Sequence, residues 1–312
     1  MVYSRENISS DGSAIGFNGS GLVVPDNPII PFLTGDGAGP ELASAAIRIL
    51  NSGIGMAYNG EKEIHWKQVL VGEKNPVLGN AGVLVSDSFL DIIRQYKIAL
   101  RGSFNHHGEN PKSIESEISQ TLDLYTCVKP VKYYTGLPCG FKNPEGIRLA
   151  VISTDNEDSY NIIDPGKSRI ALEKLGVDIP QEPGYAAYSI HMRTKSKTER
   201  VVRSAIRYAM RNNITSISLI HSSGFDGLNE DKFIQWAFEV ARNEFTGKVV
   251  AADDCGGNAP PGTILIRDIA HEVFFQQAAT SLSCYGIIIA PEPYAGMINS
   301  FLKSFTGGTN IA

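Results

Sequence analysis

Short apolar runs alternate with amphipathic stretches along most of this chain, and that alternation most narrows the folds open to it. Pro28-Ile29-Ile30-Pro31-Phe32-Leu33 is a strand-like run, followed by the glycine-rich turn Thr34-Gly35-Asp36-Gly37-Ala38-Gly39-Pro40. The segment 40–50 then reads as a helix, with Pro40 in the first turn, where its missing N–H goes unneeded. Further strands are expected at 64–70, 96–100, 122–128, 147–152, 215–221, 248–252 and 284–290. Helices are expected over 86–95, 199–212, 230–245, 265–281 and 294–305. The clearest is 199–212: Val201, Val202, Ala205, Ile206, Ala209 and Met210 form one stripe, with Arg200, Arg203 and Arg207 off it. Strands alternating with helices predict an α/β protein with parallel pairing. Two segments break the pattern. Residues 1–27, rich in Ser, Gly and Asn, read as a leading arm or loose hairpin. Residues 163–198 hold Pro165, Pro180, Pro183 and a polar run Arg193–Lys197, and read as an insert of extended chain and short helix.

At 312 residues the chain has room for about two domains. It is 42% hydrophobic and 20% charged, so it can bury sizeable cores. A net charge of -5 argues against a nucleic-acid partner, which wants a basic face. No run approaches the length of a membrane span, and the N-terminus lacks the apolar core of a secretory signal. Cys127, Cys139, Cys255 and Cys284 show neither CxxC nor zinc spacing. Cys127 and Cys284 sit in apolar runs and are expected as buried free thiols, which suits a reducing, cytoplasmic setting.

Several phrases then follow one another in order. Gly35-Asp36-Gly37-Ala38-Gly39-Pro40-Glu41 comes first, then Gly72-Glu73-Lys74 and Asp91-Ile92-Ile93-Arg94. Leu122-Asp123-Leu124-Tyr125 leads into Cys127-Val128-Lys129-Pro130-Val131-Lys132-Tyr133-Tyr134 and Asn156-Glu157-Asp158 before Tyr160. Trp236-Ala237-Phe238, Phe274-Phe275-Gln276-Gln277 and Gly307-Gly308 complete the series. Together they resemble the isocitrate/isopropylmalate dehydrogenase family, in particular its bacterial-type NADP-dependent isocitrate dehydrogenases. The resemblance implies an α/β fold of two domains facing across a cleft, with a clasp insert. On that basis 1–122 and 290–312 are expected to form an incomplete large domain, 123–162 and 199–289 a small domain, and 163–198 a clasp that pairs two subunits into a homodimer.

Oxidative decarboxylation of a 2-hydroxy acid calls for a divalent metal held by carboxylate oxygens, arginines that fork onto carboxylates, proton-carrying groups and a nicotinamide. Matched residue by residue, the resemblance puts Gly296 and Ser300 at two metal-carboxylate places and leaves Glu272 as the third. Ser113 keeps a substrate serine, while Glu115 and Ser119 replace an amide and an arginine. Lys129 and Ser153 stand at further arginine places, and Ser222 stands where a proton-carrying lysine is expected. Tyr160 keeps its place. The family's NADP loop falls past the position matched by Ala312, so no metal or cofactor ligands are expected here, although NADP and Mg²⁺ or Mn²⁺ are what the family implies.

Losing two arginine forks and gaining Glu115 would weaken polyanion binding by roughly 4–8 kcal/mol. The expectation is therefore a scaffold repurposed as a non-redox, NADP- and metal-independent enzyme on another small molecule. Tyr160, His106, His107 and Glu272 would supply acid/base chemistry, and Ser113, Glu115, Ser119, Lys129, Ser153 and Ser222 would line its pocket. Two alternatives stand beside it: a catalytically silent structural or regulatory partner, and an NAD(P)-dependent oxidative decarboxylase of an isocitrate-like acid. Each residue also has a plain structural role open to it. Gly35–Gly39 can be a packing turn, Ser113 a helix cap, His106 and His107 a solvated loop pair, and Glu272 a surface carboxylate.

Overall fold

The structure is a computed structural model that describes residues 12–19, 21–69, 87–102, 104, 114–137, 139, 144–154, 161–162, 174, 176, 189–190, 192–222 and 227–306. The chain divides into two compact units, Met1–Leu124 and Tyr125–Ala312.

In the first unit, β1 (Gly16–Phe17) and β2 (Leu22–Val23) form a small antiparallel hairpin within the expected arm. A parallel three-stranded sheet follows, with β3 (Ile29–Leu33) between β4 (His65–Gln68) and β5 (Leu100–Arg101). Its helices are α1 (Gly39–Ala57), α2 (Asp87–Tyr96) and α3 (Ile114–Thr121). Helix α1 begins where the sequence implies, with Pro40 in the first turn and Glu41 set against the positive helix end. It stops where Asn59 (φ 52°) and Gly60 (φ 78°) turn left-handed. Leu33, Val69, Phe89, Leu90 and Ile118 make the core of this unit.

The glycine-rich turn is tight for a reason that lies in the backbone. A Cβ on Gly39 would fall 2.1 Å from the Thr34 carbonyl oxygen, and one on Gly102 would fall 2.2 Å from the same atom. Two chain segments thus crowd one carbonyl, and only hydrogen fits at either position. Gly102 also donates its N–H to the Leu33 oxygen at 2.8 Å, which ties the end of β5 to the end of β3.

The second unit holds a six-stranded sheet in the order β11-β12-β10-β13-β7-β6. Its strands are β6 (Thr126–Lys132), β7 (Arg148–Thr154), β10 (Ser216–His221), β11 (Val249–Ala251), β12 (Ile264–Ala270) and β13 (Ile287–Ile289). Two short strands pair antiparallel, β8 (Asn161–Ile162) just before the expected insert and β9 (Ser189–Ile190) within it; most of the insert lies outside the described residues. Alternate strand residues face opposite sides. Ile217, Leu219, Ile266, Ile287 and Ile289 pack against α4 (Lys195–Arg211) and α5 (Gly227–Glu244). Ile220, Ile269, Ile288, Leu149 and Val151 pack against α6 (His271–Ser281) and α7 (Tyr294–Phe305). Each fully buried Ile or Leu contributes about 1.5–3 kcal/mol. Helix α7 packs in this unit, whereas the expected grouping placed 290–312 with residues 1–122.

The structure differs from the sequence reading in three further places. Residues 264–270 form strand β12, not the first turns of a helix, because β10 and β11 flank them on both sides and Ile264 and Ile266 are buried. Pairing is not all parallel: β6 runs antiparallel to β7 at the sheet edge. Cys284 is exposed and Cys127 half-buried, so neither is a fully buried thiol; Cys284 closes a turn, its Sγ donating to the Ser281 oxygen at 2.8 Å. Among the described residues no helix is long and apolar enough to cross a membrane.

Candidate active site at the carboxyl edge of the second sheet

Ligands of parallel α/β sheets bind outside the carboxyl ends of the strands, where connections leave the sheet in opposite directions. In the second unit those ends carry Ser153 on β7, His221 at the end of β10 with Ser222 after it, His271 and Glu272 after β12, and Ala290 to Glu292 after β13. Strand alternation sorts them. Ser153, Ser222, Ala290 and His271 continue the rows of Val151, Ile220, Ile288 and Ile269 on the α6/α7 side. His221 and Asp268 continue the rows of Leu219 and Ile266 on the α4/α5 side.

On the α6/α7 side, Ser153 and Ser222 are buried. The His271 ring lies 5.0 Å from that of Tyr294, and its Nδ1 is 3.1 Å from Glu272 Oε2 without hydrogen-bond geometry. Glu272 is half-exposed at the start of α6, at the positive end of the helix. Glu292 accepts the Gly296 N–H at 3.2 Å and so caps the first turn of α7. Ser300 donates its hydroxyl to the Gly296 oxygen at 3.0 Å.

On the α4/α5 side, His221 Nε2 lies 3.3 Å from Asp268 Oδ2, and His221 Nδ1 lies 3.2 Å from the Ser222 oxygen. Both acceptors favour the doubly protonated ring. The hydrogen bond to Asp268 raises the His221 pKa above its ordinary value against the opposing effect of burial, and the Ser222 carbonyl adds to the rise. The same hydrogen bond lowers the Asp268 pKa, again against burial. Close by, Arg193 Nη2 and Glu230 Oε1 meet at 3.5 Å, both side chains well buried, with the guanidinium over the Phe233 ring.

The His221–Asp268 pair predicts a pH dependence. A histidine with a raised folded pKa adds stability that is complete below its unfolded value, near 6.5, and lost as pH rises through the folded value. An aspartate with a lowered folded pKa adds stability above its unfolded value, near 3.8, and loses it as pH falls through the folded value. The pair therefore helps most between those limits. Asp268→Asn should destabilise the protein more at about pH 5.5 than at about pH 8 in urea unfolding. Equal losses at both pH values would show that the pair does not couple to folding.

The remaining sequence candidates divide in two. His106, His107, Ser113 and Tyr160 lie outside the described residues. In the first unit, Glu115 on α3 is paired with Arg101, Oε1 to Nη1 at 2.8 Å, and accepts the Phe104 N–H at 3.4 Å. Its charge is offset within the chain, which sequence alone did not reveal. Ser119, one turn on, is buried. Lys129 is exposed on edge strand β6. The residues that sequence reasoning missed, His221, Asp268 and His271, had no motif of their own; their signal was position at a strand end.

Known proteins supply the wider frame. A family model described as isocitrate/isopropylmalate dehydrogenase matches residues 29–247. Isocitrate dehydrogenase (NADP) of Staphylococcus epidermidis is 32% identical over 318 residues, covering 94% of this chain and 75% of that protein. The enzyme of the same name from Archaeoglobus fulgidus is 33% identical, covering 100% of this chain and 77% of its own. The crystal structure of isocitrate dehydrogenase from Methylococcus capsulatus superposes with a TM-score of 0.66 at 20% identity, covering 90% of this chain and 71% of that one. These relatives overturn the expectation of a repurposed, non-redox, NADP- and metal-independent enzyme. The altered pocket positions are a handful, whereas the match to isocitrate dehydrogenases runs nearly the full length of the chain. Sequence and fold agree that the chain belongs to the isocitrate/isopropylmalate dehydrogenase family.

Proposed function

We propose that this chain is an isocitrate-dehydrogenase-type oxidoreductase, oxidising an isocitrate-like 2-hydroxy acid with NADP as hydride acceptor. The observation that carries this reading is the 31–33% identity to isocitrate dehydrogenases over 94–100% of the chain. NADP, when bound, would supply the hydride acceptor for the hydroxyl-bearing carbon; the hydroxyl would lose its proton, a carboxylate would depart as carbon dioxide, and the carbon it leaves would take up a proton.

The family also implies a divalent cation, and the described residues do not fit one. Gly296 has no side chain, Ser300 is spent on a helix carbonyl, and Glu292 is engaged as a cap. Among the described residues no three His, Cys, Asp or Glu side chains gather as a metal would need. The roles that follow rest on protein groups alone. Ser153 and Ser222 offer hydroxyls to substrate oxygens at the strand ends. Lys129 supplies positive charge, and Glu272 and Tyr160 exchange protons with substrate. The reading includes a homodimer paired through 163–198, a small-molecule ligand and a cytoplasmic setting.

The test is direct. Isocitrate and NADP are added to the purified chain, with Mn²⁺ or with a chelator, and NADPH is followed by its near-ultraviolet absorbance. Accumulation of NADPH is expected. A folded protein that yields none under either condition overturns the proposal.

A further inference from the structure

A cavity of about 480 Å³ opens at the opposite edge of the second sheet, by the amino ends of β7 and β10. Pro130, Ala150 and Ile214 give it apolar lining, and Tyr134 and Tyr208 line it as well. Lys132 and Arg148 also line it, and they are direct cross-strand partners in the β6–β7 ladder. Like charges placed opposite one another in an antiparallel pair repel and destabilise the sheet. Among the described residues no acidic group offsets this. Lys132 lies over the Tyr134 ring, 5.2 Å from its centroid, and neither cation has an acidic partner there. Among the described residues no acidic side chain lines the cavity. The end of α4 would repel an anion through its free carbonyls, but the nearest ones are occupied. The Tyr208 oxygen accepts from the Asn212 N–H and side-chain amide, and the Ala209 oxygen accepts from the Asn212 and Ile214 N–H groups.

We propose that this cavity is a binding site for an aromatic phosphate monoester. Two adjacent cations match the dianion of a phosphate monoester better than a single carboxylate charge. The two tyrosines and the apolar lining suit a flat, apolar body attached to it. The repulsion between Lys132 and Arg148, unexplained in the protein alone, becomes attraction once a dianion bridges them. The site is remote from the carboxyl-edge residues: β7 spans it from Arg148 to Thr154, about 20 Å of extended chain. Its ligand therefore does not compete with substrate, and the inference stands apart from the proposed oxidoreductase activity.

Phenyl phosphate is the probe, titrated against the whole chain by calorimetry at fixed ionic strength, with inorganic phosphate, benzoate and phenol as separate arms. One saturable site for phenyl phosphate is expected, with each of the other three weaker. Arg148→Gln and Lys132→Gln should each weaken phenyl phosphate about tenfold to a hundredfold, the loss of one charged hydrogen bond. Asp268→Asn, at the far edge, should leave that affinity unchanged. Both glutamine variants relieve like-charge repulsion, so without ligand they should melt no lower than the parent. Absence of saturable phenyl phosphate binding, or two variants that bind it as the parent does, overturns the proposal. Equal binding of phenol, which has no phosphate, overturns it as well.

Discussion

Alanine at Gly39 is expected to cost the first unit about 3 kcal/mol or more, because the new Cβ meets backbone and not a movable side chain. The atom in the way is the Thr34 carbonyl oxygen, 2.1 Å from the built position, with the Thr34 carbonyl carbon at 3.0 Å. Relief would require α1 to slide outward from β3, and α1 is where the turn passes into helix. Gly102→Ala should cost a similar amount, since its Cβ would fall 2.2 Å from the same oxygen. Both changes together should cost less than their sum, because one displacement of Thr34 relieves both. Gly53→Ala is the control. It lies within α1, nothing stands within 4 Å of its Cβ, and alanine there should stabilise by about 0.5–1 kcal/mol. Hydrogen exchange at the β3 and α1 amides gives the measurement. Protection as strong in the Gly39 variant as in the parent would show that the turn is slacker than its geometry.

Phe274→Ala should be the most damaging truncation in the second unit, at about 3–5 kcal/mol. The side chain is 0% exposed and sits edge-on to Phe275 at 5.4 Å and to Tyr285 at 5.1 Å. Removing it leaves a void beneath the sheet and strips two aromatic contacts at once. Tyr285 is anchored at its far end, donating its hydroxyl to Gln277 at 2.8 Å, so it cannot swing in to fill the space. Val273→Ala, next in sequence but 41% exposed, should stay within about half a kcal/mol of the parent. Thermal unfolding read by near-ultraviolet circular dichroism separates the two. A Phe274 variant that melts with the parent would mean that the core of this unit lies elsewhere.

Much of the fold is legible in the sequence because its periodicities are strong. The stripe from Val201 to Ala209 reads as a buried helix face, and α4 buries those residues, whereas Met210, read as part of the same stripe, is exposed. Pro40 and Glu41 mark the start of α1 by residue type alone. The failure at 264–270 is equally physical. Ile264 to Ala270 run into His271 with no glycine, proline or asparagine between them, so strand and helix merge into one apolar-rich stretch. Only the flanking strands, which come from distant parts of the chain, decide in favour of β12. The candidate site divides along the same line. That Ser222 and Ser300 stand where the resemblance expects a lysine and an aspartate is a reading made by matching phrases along the chain. That Arg101 neutralises Glu115, or that Asp268 meets His221, depends on two strands or a strand and a helix coming together, and no local pattern announces it.

Pro130 sits in β6, the outermost strand of the larger sheet, facing Ala150 of β7. Ala150 sends its N–H the other way, to the Gly286 oxygen beside β13, so the ladder loses nothing to the imino acid. The missing donor falls instead on the outer rim, between Lys129 and Lys132. A foreign strand approaching that rim finds a gap in its hydrogen bonding and two ammonium groups in its way. Strand addition is therefore disfavoured along this border.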